Sequence, residues 1–439
     1  MKKVFLSLLA MPAIWGQSTT PMNLSLSDAI ERGLKTNLGV LERETGDRLA
    51  RVERIRALSA LLPTIKGTVA ENVQENNIAV FGFRFPGIPQ IIGPFGYSDI
   101  RANASLDLFD WSARLRLKAT GQSLKAAALN TQDARDMVVQ AVANAYFSII
   151  AGAARVDASR SEVATAQALY ERARDQHAAG VSPAIDELRA QVELKSRQQQ
   201  LLIAQNQLDK NRLVLARVIG LNPAQAFELA DAAPYAPLEG RSPEEMMDQA
   251  RVSRADYQSL KAQLQAAEVT REAALAERYP TVSLNGDFGL NGVNQAQLHN
   301  TFAFTGALKV NIFDGGRIHA DVAQSDAVIR QRKDEIADLE REIDVEIRTA
   351  LLDLKSAADQ VEVARSNQDL ANQTLMQARD RFAAGVTDNI EVVQAQDSVA
   401  NAQEALIGSM YSHNVAKVAL ARAVGMTETN LKQFMGAGK

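Results

Sequence analysis

Ala173-Arg174-Asp175-Gln176-His177-Ala178-Ala179-Gly180-Val181-Ser182 returns 205 positions later as Ala378-Arg379-Asp380-Arg381-Phe382-Ala383-Ala384-Gly385-Val386-Thr387. At the same spacing, Ala216-Arg217-Val218-Ile219-Gly220 returns as Ala421-Arg422-Ala423-Val424-Gly425. Upstream, Leu108-Phe109-Asp110 is echoed by Ile312-Phe313-Asp314, and Pro63-Thr64 by Pro280-Thr281. The matches keep their order, so the chain reads as a duplication, and a repeat has to be recognised before any motif is weighed. Each half spells helix, two strands, very long helix, sharp turn and return helix. The first repeat spans 17–220 and the second 243–425, joined by a connector over 221–242 and followed by a tail over 426–439. Pro223, Pro234, Pro237 and Gly240 mark the connector as loop-rich. Ser242-Pro243-Glu244-Glu245 then restarts a helix, with Ser242 as cap and Glu245 completing a capping box.

Outward from each Gly-Val turn the helices are long. No proline falls between Pro94 and Pro183, and none follows Pro280. Helices over 112–177 and 316–382 would each extend roughly 100 Å at 1.5 Å per residue. In the second run Val322, Ile329, Ile336, Ile343, Ala350, Ala357, Ala364, Ala371 and Ala378 repeat every seven residues. Val142, Ile149, Val156, Val163 and Tyr170 echo that spacing in the first. A sustained heptad means long helices packed side by side with coiled-coil interdigitation. The other faces are dense in Lys, Arg, Glu, Asp, Gln and Asn and read as water-facing. No run of 18 consecutive apolar residues occurs, so a membrane-spanning helix is not expected.

The strands carry the functional signal. Thr281 to Phe288 alternates Val282, Leu284, Gly286 and Phe288 against Thr281, Ser283, Asn285 and Asp287; Phe302 to Phe313 does likewise, with Lys309 and Asn311 on its polar side. In the first half Ile100, Ala102, Ala104, Leu106 and Leu108 oppose Arg101, Asn103, Ser105 and Asp107, and Ile65, Gly67 and Val69 oppose Thr64, Lys66 and Thr68. Period two over about ten residues is what a tilted strand of a membrane barrel requires, with lipid outside and water within. Lys66, Arg101, Asn103, Asp107, Asn285, Asp287, Lys309 and Asn311 are then the candidate lumen residues. A soluble sheet packed on a core shows the same alternation. However, the helices have committed their apolar faces to one another. Four strands cannot close a barrel and an open edge is not tolerated in lipid, so several copies must share one. The connection from Asn72 to Asp99 is long and apolar and reads as an external loop that plugs the mouth or anchors at the interface.

At the start, Met1-Lys2-Lys3, the apolar run Val4 to Ile14 and small Gly16 have the layout of a removable export signal covering 1–16. The 439 residues contain no cysteine, which excludes disulfides and thiolate metal sites. His177, His299, His319 and His413 are too scattered for a metal site, and no phosphate cradle, dinucleotide fingerprint or nucleophile elbow occurs. Cofactors are therefore not expected, nor is an enzyme. A net charge of −4 with both signs interspersed gives no support to nucleic-acid binding.

Together these residues resemble the TolC-like outer-membrane efflux channel family. Leu24-Ser25-Leu26-Ser27-Asp28-Ala29-Ile30 with Leu34 and Asn37 looks like the family's first-helix motif. Leu62-Pro63, Tyr279-Pro280, the two Phe-Asp turns, the paired Ala-Ala-Gly-Val tips, Ala395-Gln396 and Ala402 match as well. Ala255 departs from the pattern, standing where the family commonly places proline. The resemblance covers residues 24 to 425. It implies a mainly α fold with a small β part: a long α-helical coiled-coil barrel joined to a transmembrane β-barrel shared by three copies. It also implies residence in the outer membrane with the helical tunnel in the periplasm, a periplasmic adaptor, an inner-membrane transporter, and passive export of small molecules or proteins. Gly180, Val181, Ser182, Gly385, Val386 and Thr387 are the implied adaptor contacts. Asp186, Glu391 and Gln394 are the constriction candidates; Glu391 falls on the first of two acidic ring positions of some relatives, and Gln394 replaces the second carboxylate. The competing reading is a soluble periplasmic helical-hairpin adaptor or scaffold.

Overall fold

The computed structural model describes residues 22–82, 86–87, 89–231, 242–293, 297–384, 386–387 and 389–428. The export signal, Gly385, residues 232–241 of the connector and all but the start of the tail lie outside them. Two compact units are present. One holds the described residues up to Leu41, Arg135–Met246 and those from Glu346 onward; the other holds Glu42–Ala134 and Met247–Val345. Each unit takes material from both repeats.

The repeats match element for element. Helices α1 (Leu26–Thr36) and α5 (Pro243–Ser253) have 11 residues each, and α2 (Leu38–Ser59) and α6 (Ala255–Ala276) have 22 each. Both pairs stand 217 positions apart. The long helices α3 (Trp111–Ala178) and α7 (Arg317–Ala383) follow the strands, and the return helices α4 (Ala184–Val218) and α8 (Asn389–Ala423) have 35 residues each, 205 positions apart. The difference between the two spacings arises in the second hairpin, which is shorter. Local chemistry sets the helix starts. Asp110 Oδ1 accepts from the Ala113 amide at 2.9 Å, and Asp314 accepts from Gly316 and Ile318 at 3.0 and 2.8 Å, so each Phe-Asp turn caps a long helix. Ser25 and Asp28 form a reciprocal capping box on α1, and Ser242 Oγ accepts from the Glu245 amide at 3.2 Å on α5.

In the first unit, the heptad positions Ala350, Ala357, Ala364, Ala371 and Ala378 of α7 are all buried, as are Leu354 and Val361 between them. Val142, Tyr146, Ile149 and Val156 of α3 share one core with Leu208 and Leu215 of α4, with Ile219 at its C-cap, and with Leu24, Ala29 and Val40. Two short strands, β1 (Met22–Leu24) and β4 (Phe227–Leu229), pair in parallel beside it. Their apolar content is too short to stand out from a loop in the sequence. Contrary to the expectation that no helix would qualify as a membrane span, α3 contains one 18-residue window apolar enough by length and composition. Its apolar residues belong to the α3–α4 core, and 56% of the window is buried, which explains its composition without lipid.

The second unit holds a four-stranded antiparallel sheet in the order β2-β3-β5-β6: β2 Thr64–Asn77, β3 Ile91–Phe109, β5 Thr281–Gly292 and β6 His299–Lys309. The first hairpin corrects the expected loop over 72–99. Residues 91–97 pair with 72–77 across a register shift between Gln74 and Asn76. Gly93, Pro94 and Gly96 lie within the paired segment, where a proline and glycines are tolerated because a bulge relaxes the ladder. Asn311 is a second correction. The strand stops at Lys309, and the Asn311 carboxamide instead donates to the Glu277 carbonyl at 3.3 Å, so it is not a strand residue facing a lumen.

Candidate functional site: the two-faced sheet and the helix turns

Because directly opposed residues of an antiparallel sheet share a face, the register decides whether four alternating strands make one coherent surface. They do. Thr64, Ser105, Asn285 and Thr305 stand in one row; Lys66, Asn103, Asp287 and Ala303 in the next; Thr68, Arg101, Gly289 and Thr301 in the third. The opposite face carries Ile65, Ala104, Gly286 and Phe304, then Gly67, Ala102, Phe288 and Phe302, then Val69, Ile100 and Leu290. Seven of the eight lumen candidates therefore lie on one polar face, although the four strands form an open sheet and no closed barrel among the described residues.

That polar face is cross-linked by its own side chains. Arg101 forms an ion pair with Asp287 and another with Asp99 at 3.2 Å, and it donates to Thr301 Oγ1 at 3.2 Å, binding three strands. Thr64 and Ser105 hydroxyls are 2.7 Å apart. The apolar face is uncovered: Ile65 is 76% exposed, Val69 79%, Phe302 69% and Phe304 73%. In water such a contiguous patch would be strongly disfavoured; against hydrocarbon it is the required surface. A soluble sheet would have had a layer across it.

At the first helix turn Gly180 has φ +71°, a left-handed conformation that glycine adopts without penalty. The Val181 amide donates to the Gln176 carbonyl at 2.9 Å, closing the turn, and the Val181 side chain is 75% exposed. At the second turn the Val386 amide donates to the Arg381 carbonyl at 3.0 Å, reproducing the geometry, and Val386 is again exposed. Gly385 lies outside the described residues.

The constriction candidates differ from a free acidic ring. Glu391 is paired with Arg381 at 3.0 Å and accepts from Thr387 Oγ1. Asp186 stands 3.6 Å from Arg189. Gln394 is exposed and lines a groove of about 350 Å³ between α4 and α8, together with Ile185, Leu188, Arg189, Val192, Glu193, Ile390 and Val393.

Two polar clusters in the same unit have no simple sequence signal. Arg197 of α4 is almost fully buried and engages Glu193 at 2.6 Å, Glu162 of α3 at 3.3 Å, Gln200 at 3.0 Å and Asp397 of α8, so it ties three helices. Burial pushes the Glu162 carboxyl above its usual range, with Arg197 pulling the other way. On α8, burial lowers His413 to about 4, with Lys417 one turn away adding to the effect, and burial lowers Lys417 as well. Among described residues no group of three or more His, Asp or Glu is placed to hold a metal ion.

A mainly helical chain with coiled-coil hairpins and a two-faced antiparallel sheet belongs to the class of outer-membrane channels, and comparison with known proteins agrees. Residues 53–221 and 246–426 match the family described as outer membrane efflux protein, and the chain belongs to that family. It is 26% identical over 358 residues to the probable efflux pump outer membrane protein TtgC of Pseudomonas putida, covering 77% of this chain and 72% of that protein. It is 28% identical over 339 residues to outer membrane protein OprJ of Pseudomonas aeruginosa, covering 73% and 67%. The fold matches the outer membrane protein VceC of Vibrio cholerae with TM-score 0.78 at 20% identity, covering 91% of this chain and 96% of that one. It matches CusC with TM-score 0.79 at 18% identity, covering 94% and 95%. The chain is thus an outer-membrane channel component of an efflux system rather than a soluble scaffold.

Proposed function

We propose that three copies close one twelve-stranded barrel and that the protein is the passive exit duct of a tripartite exporter. The polar rows of the sheet line a wet lumen, and the Ile65–Phe304 face meets lipid. The long helices form the periplasmic tunnel, and the exposed Val181 and Val386 turns, with the apolar α4–α8 groove beside them, receive a periplasmic adaptor that links to an inner-membrane transporter. The observation that carries this reading is the sheet: one coherent polar face, one uncovered apolar face and two open edges, a combination stable only where lipid covers the apolar side and another copy covers each edge. Energy for export comes from the inner-membrane partner.

Because each tip carboxylate stands near a cation of its own chain, we infer that the turns form a narrowing with compensated charge. Reconstitution tests the whole reading. Purified protein should need detergent, run as a heat-resistant oligomer and open ohmic channels in planar bilayers. A monomer freely soluble in buffer and without conductance would overturn it.

A further inference from the structure

At the end of the sheet remote from the helices, aromatic side chains stand on the face turned away from lipid. The apolar face runs from Val282 to Leu290 on β5 and from Leu308 back to Phe302 on β6, about nine residues on the longer strand, the length a tilted strand needs to cross hydrocarbon. The next row on that face is polar: Glu71 stands opposite Ser98, whose hydroxyl donates to it at 2.6 Å. Hydrocarbon contact therefore stops at the row of Val69 and Ile100. β5 ends at Gly292, opposite Ser98, so beyond that row β2 and β3 continue without a third strand, as a ribbon that pairs 72–77 with 91–97. The other end of β3 runs into α3, so the ribbon projects on the side opposite the helices.

On this ribbon Phe95 and Tyr97 share the face of Asp99, Arg101 and Asn103, the polar rows of the sheet. Their rings are neighbours, 6.4 Å between centroids and tilted by 34°, and both are half-buried. Two carboxamides stand directly across the ladder, Gln74 opposite Phe95 and Asn72 opposite Tyr97. Among the described residues, neither carboxamide nor the Tyr97 hydroxyl is engaged in a side-chain hydrogen bond. Aromatic girdles of membrane strands face lipid; these two rings face the other way, so membrane anchoring does not account for them. Two adjacent π faces offer stacking to a flat ring, and the carboxamides offer donors and acceptors to its edge. None of the four side chains carries a charge, and the charges nearby, Asp99, Arg101 and Asp287, are paired with one another. That chemistry suits a neutral flat molecule and gives an ion nothing to hold.

We propose that Asn72, Gln74, Phe95 and Tyr97 form a solute-binding site at the outer rim of the channel, one in each copy, which takes neutral flat-ring molecules as they leave. The proposal rests on the reading of the polar rows as a lumen surface and adds a chemical preference at its exit. A shallow site suits that place, because passage needs contacts favourable enough to enter and weak enough to leave.

Full-length oligomer in planar bilayers tests it, with two neutral probes added on the side of the ribbons. Caffeine is a flat bicycle with acceptors on its edge; sorbitol has similar mass and no flat face. Caffeine should cause concentration-dependent current noise and partial block, and sorbitol should not. Phe95→Leu with Tyr97→Leu should raise the half-blocking caffeine concentration about fivefold and leave the open conductance nearly unchanged. Asn72→Ala with Gln74→Ala should raise it about threefold. Tyr97→Trp, with its larger π face, should lower it about twofold. Unchanged block in the leucine variant, or equal block by sorbitol, overturns the site. A leucine variant with higher open conductance, beside a parent that ignores caffeine, overturns it in favour of a plug made by these rings from neighbouring copies. If the leucine variant yields no heat-resistant oligomer, Tyr97→Trp decides, and unchanged block there overturns the site as well. Parent channels that conduct but ignore caffeine overturn the site alone; parent protein that opens no channel overturns the exit-duct reading with it.

Discussion

Helices α2 and α6 have the same length and occupy equivalent places in the two repeats, yet their surroundings are opposite. Eight residues of α6 are buried, from Ala255 to Ala276, whereas Val40 is the buried residue of α2. α6 lies on α3 of the other repeat, whereas most of α2 is left exposed. Sequence equivalence therefore fixes what a segment can become, while its burial depends on which neighbour the chain can supply. Similar inequalities run along the return helices. Arg197 of α4 corresponds to Ala402 of α8, which is buried, and Leu208, buried in the α3–α4 core, corresponds to His413.

The comparison can be broken hardest at the helices themselves. Ala266→Glu places a charge at a buried position of α6 and should cost at least about 4 kcal/mol, so the protomer itself fails to fold. The equivalent Leu49→Glu on exposed α2 should leave the circular dichroism of the protomer intact and abolish only the heat-resistant oligomer. Equal loss of helicity in both variants would refute the asymmetry.

Making the first repeat resemble the second at Arg197 comes next. Arg197→Ala leaves Glu162 and Glu193 facing each other without their shared cation and should destabilise by about 3 kcal/mol, with Asp397, being half exposed, adding little. Arg197→Met should retain part of the packing, and thermal dissociation of the oligomer measures both.

Making the second repeat resemble the first at His413 has a pH signature. Its folded-state value lies near 4, below the ordinary 6.5, so between those limits the unfolded chain binds a proton that the folded chain refuses. Stability should therefore fall as pH drops through that window, by about 2 kcal/mol at pH 5 relative to pH 8. His413→Leu removes this contribution. Thermal dissociation measured at pH 8 and pH 5 should show a smaller difference in the variant than in the parent.

Smaller still is the turn. Gly180→Ala must hold a left-handed backbone with open space around the new methyl, so only the backbone penalty of about 1 kcal/mol applies. Smallest is the acidic pair at the tips. Glu391→Gln and Asp186→Asn each disturb a partly exposed ion pair worth at most about 1 kcal/mol, and cation block of single channels should shift by less than about threefold. A tenfold loss of block would reinstate an uncompensated acidic ring.

Much of the fold was legible because its signals are periodic or local. The seven-residue spacing from Ala350 to Ala378 marked a buried seam, proline placement allowed both long helices, and alternation at Ile100–Leu108 and Val282–Phe288 marked strands. Asp110, Asp314, Ser242 and Gly180 act through neighbours a few residues away, so their roles could be read in place. The segment 72–97 reads as a long apolar loop in the sequence, because the register shift that keeps its two strands paired depends on partners across the hairpin and leaves no local signal.

By itself, then, the sequence determined the duplication, the element order, the polarity of each strand and the position of each turn, all of which depend on contacts within a turn or on a regular period. Only the tertiary structure decided that four strands align their polar rows into one face, that Arg101 binds three of them, that Arg197 ties three helices, and that α6 is covered while α2 is not. Those outcomes depend on pairings between residues up to about two hundred positions apart, such as Arg197 with Asp397, and no local propensity encodes which distant partner arrives.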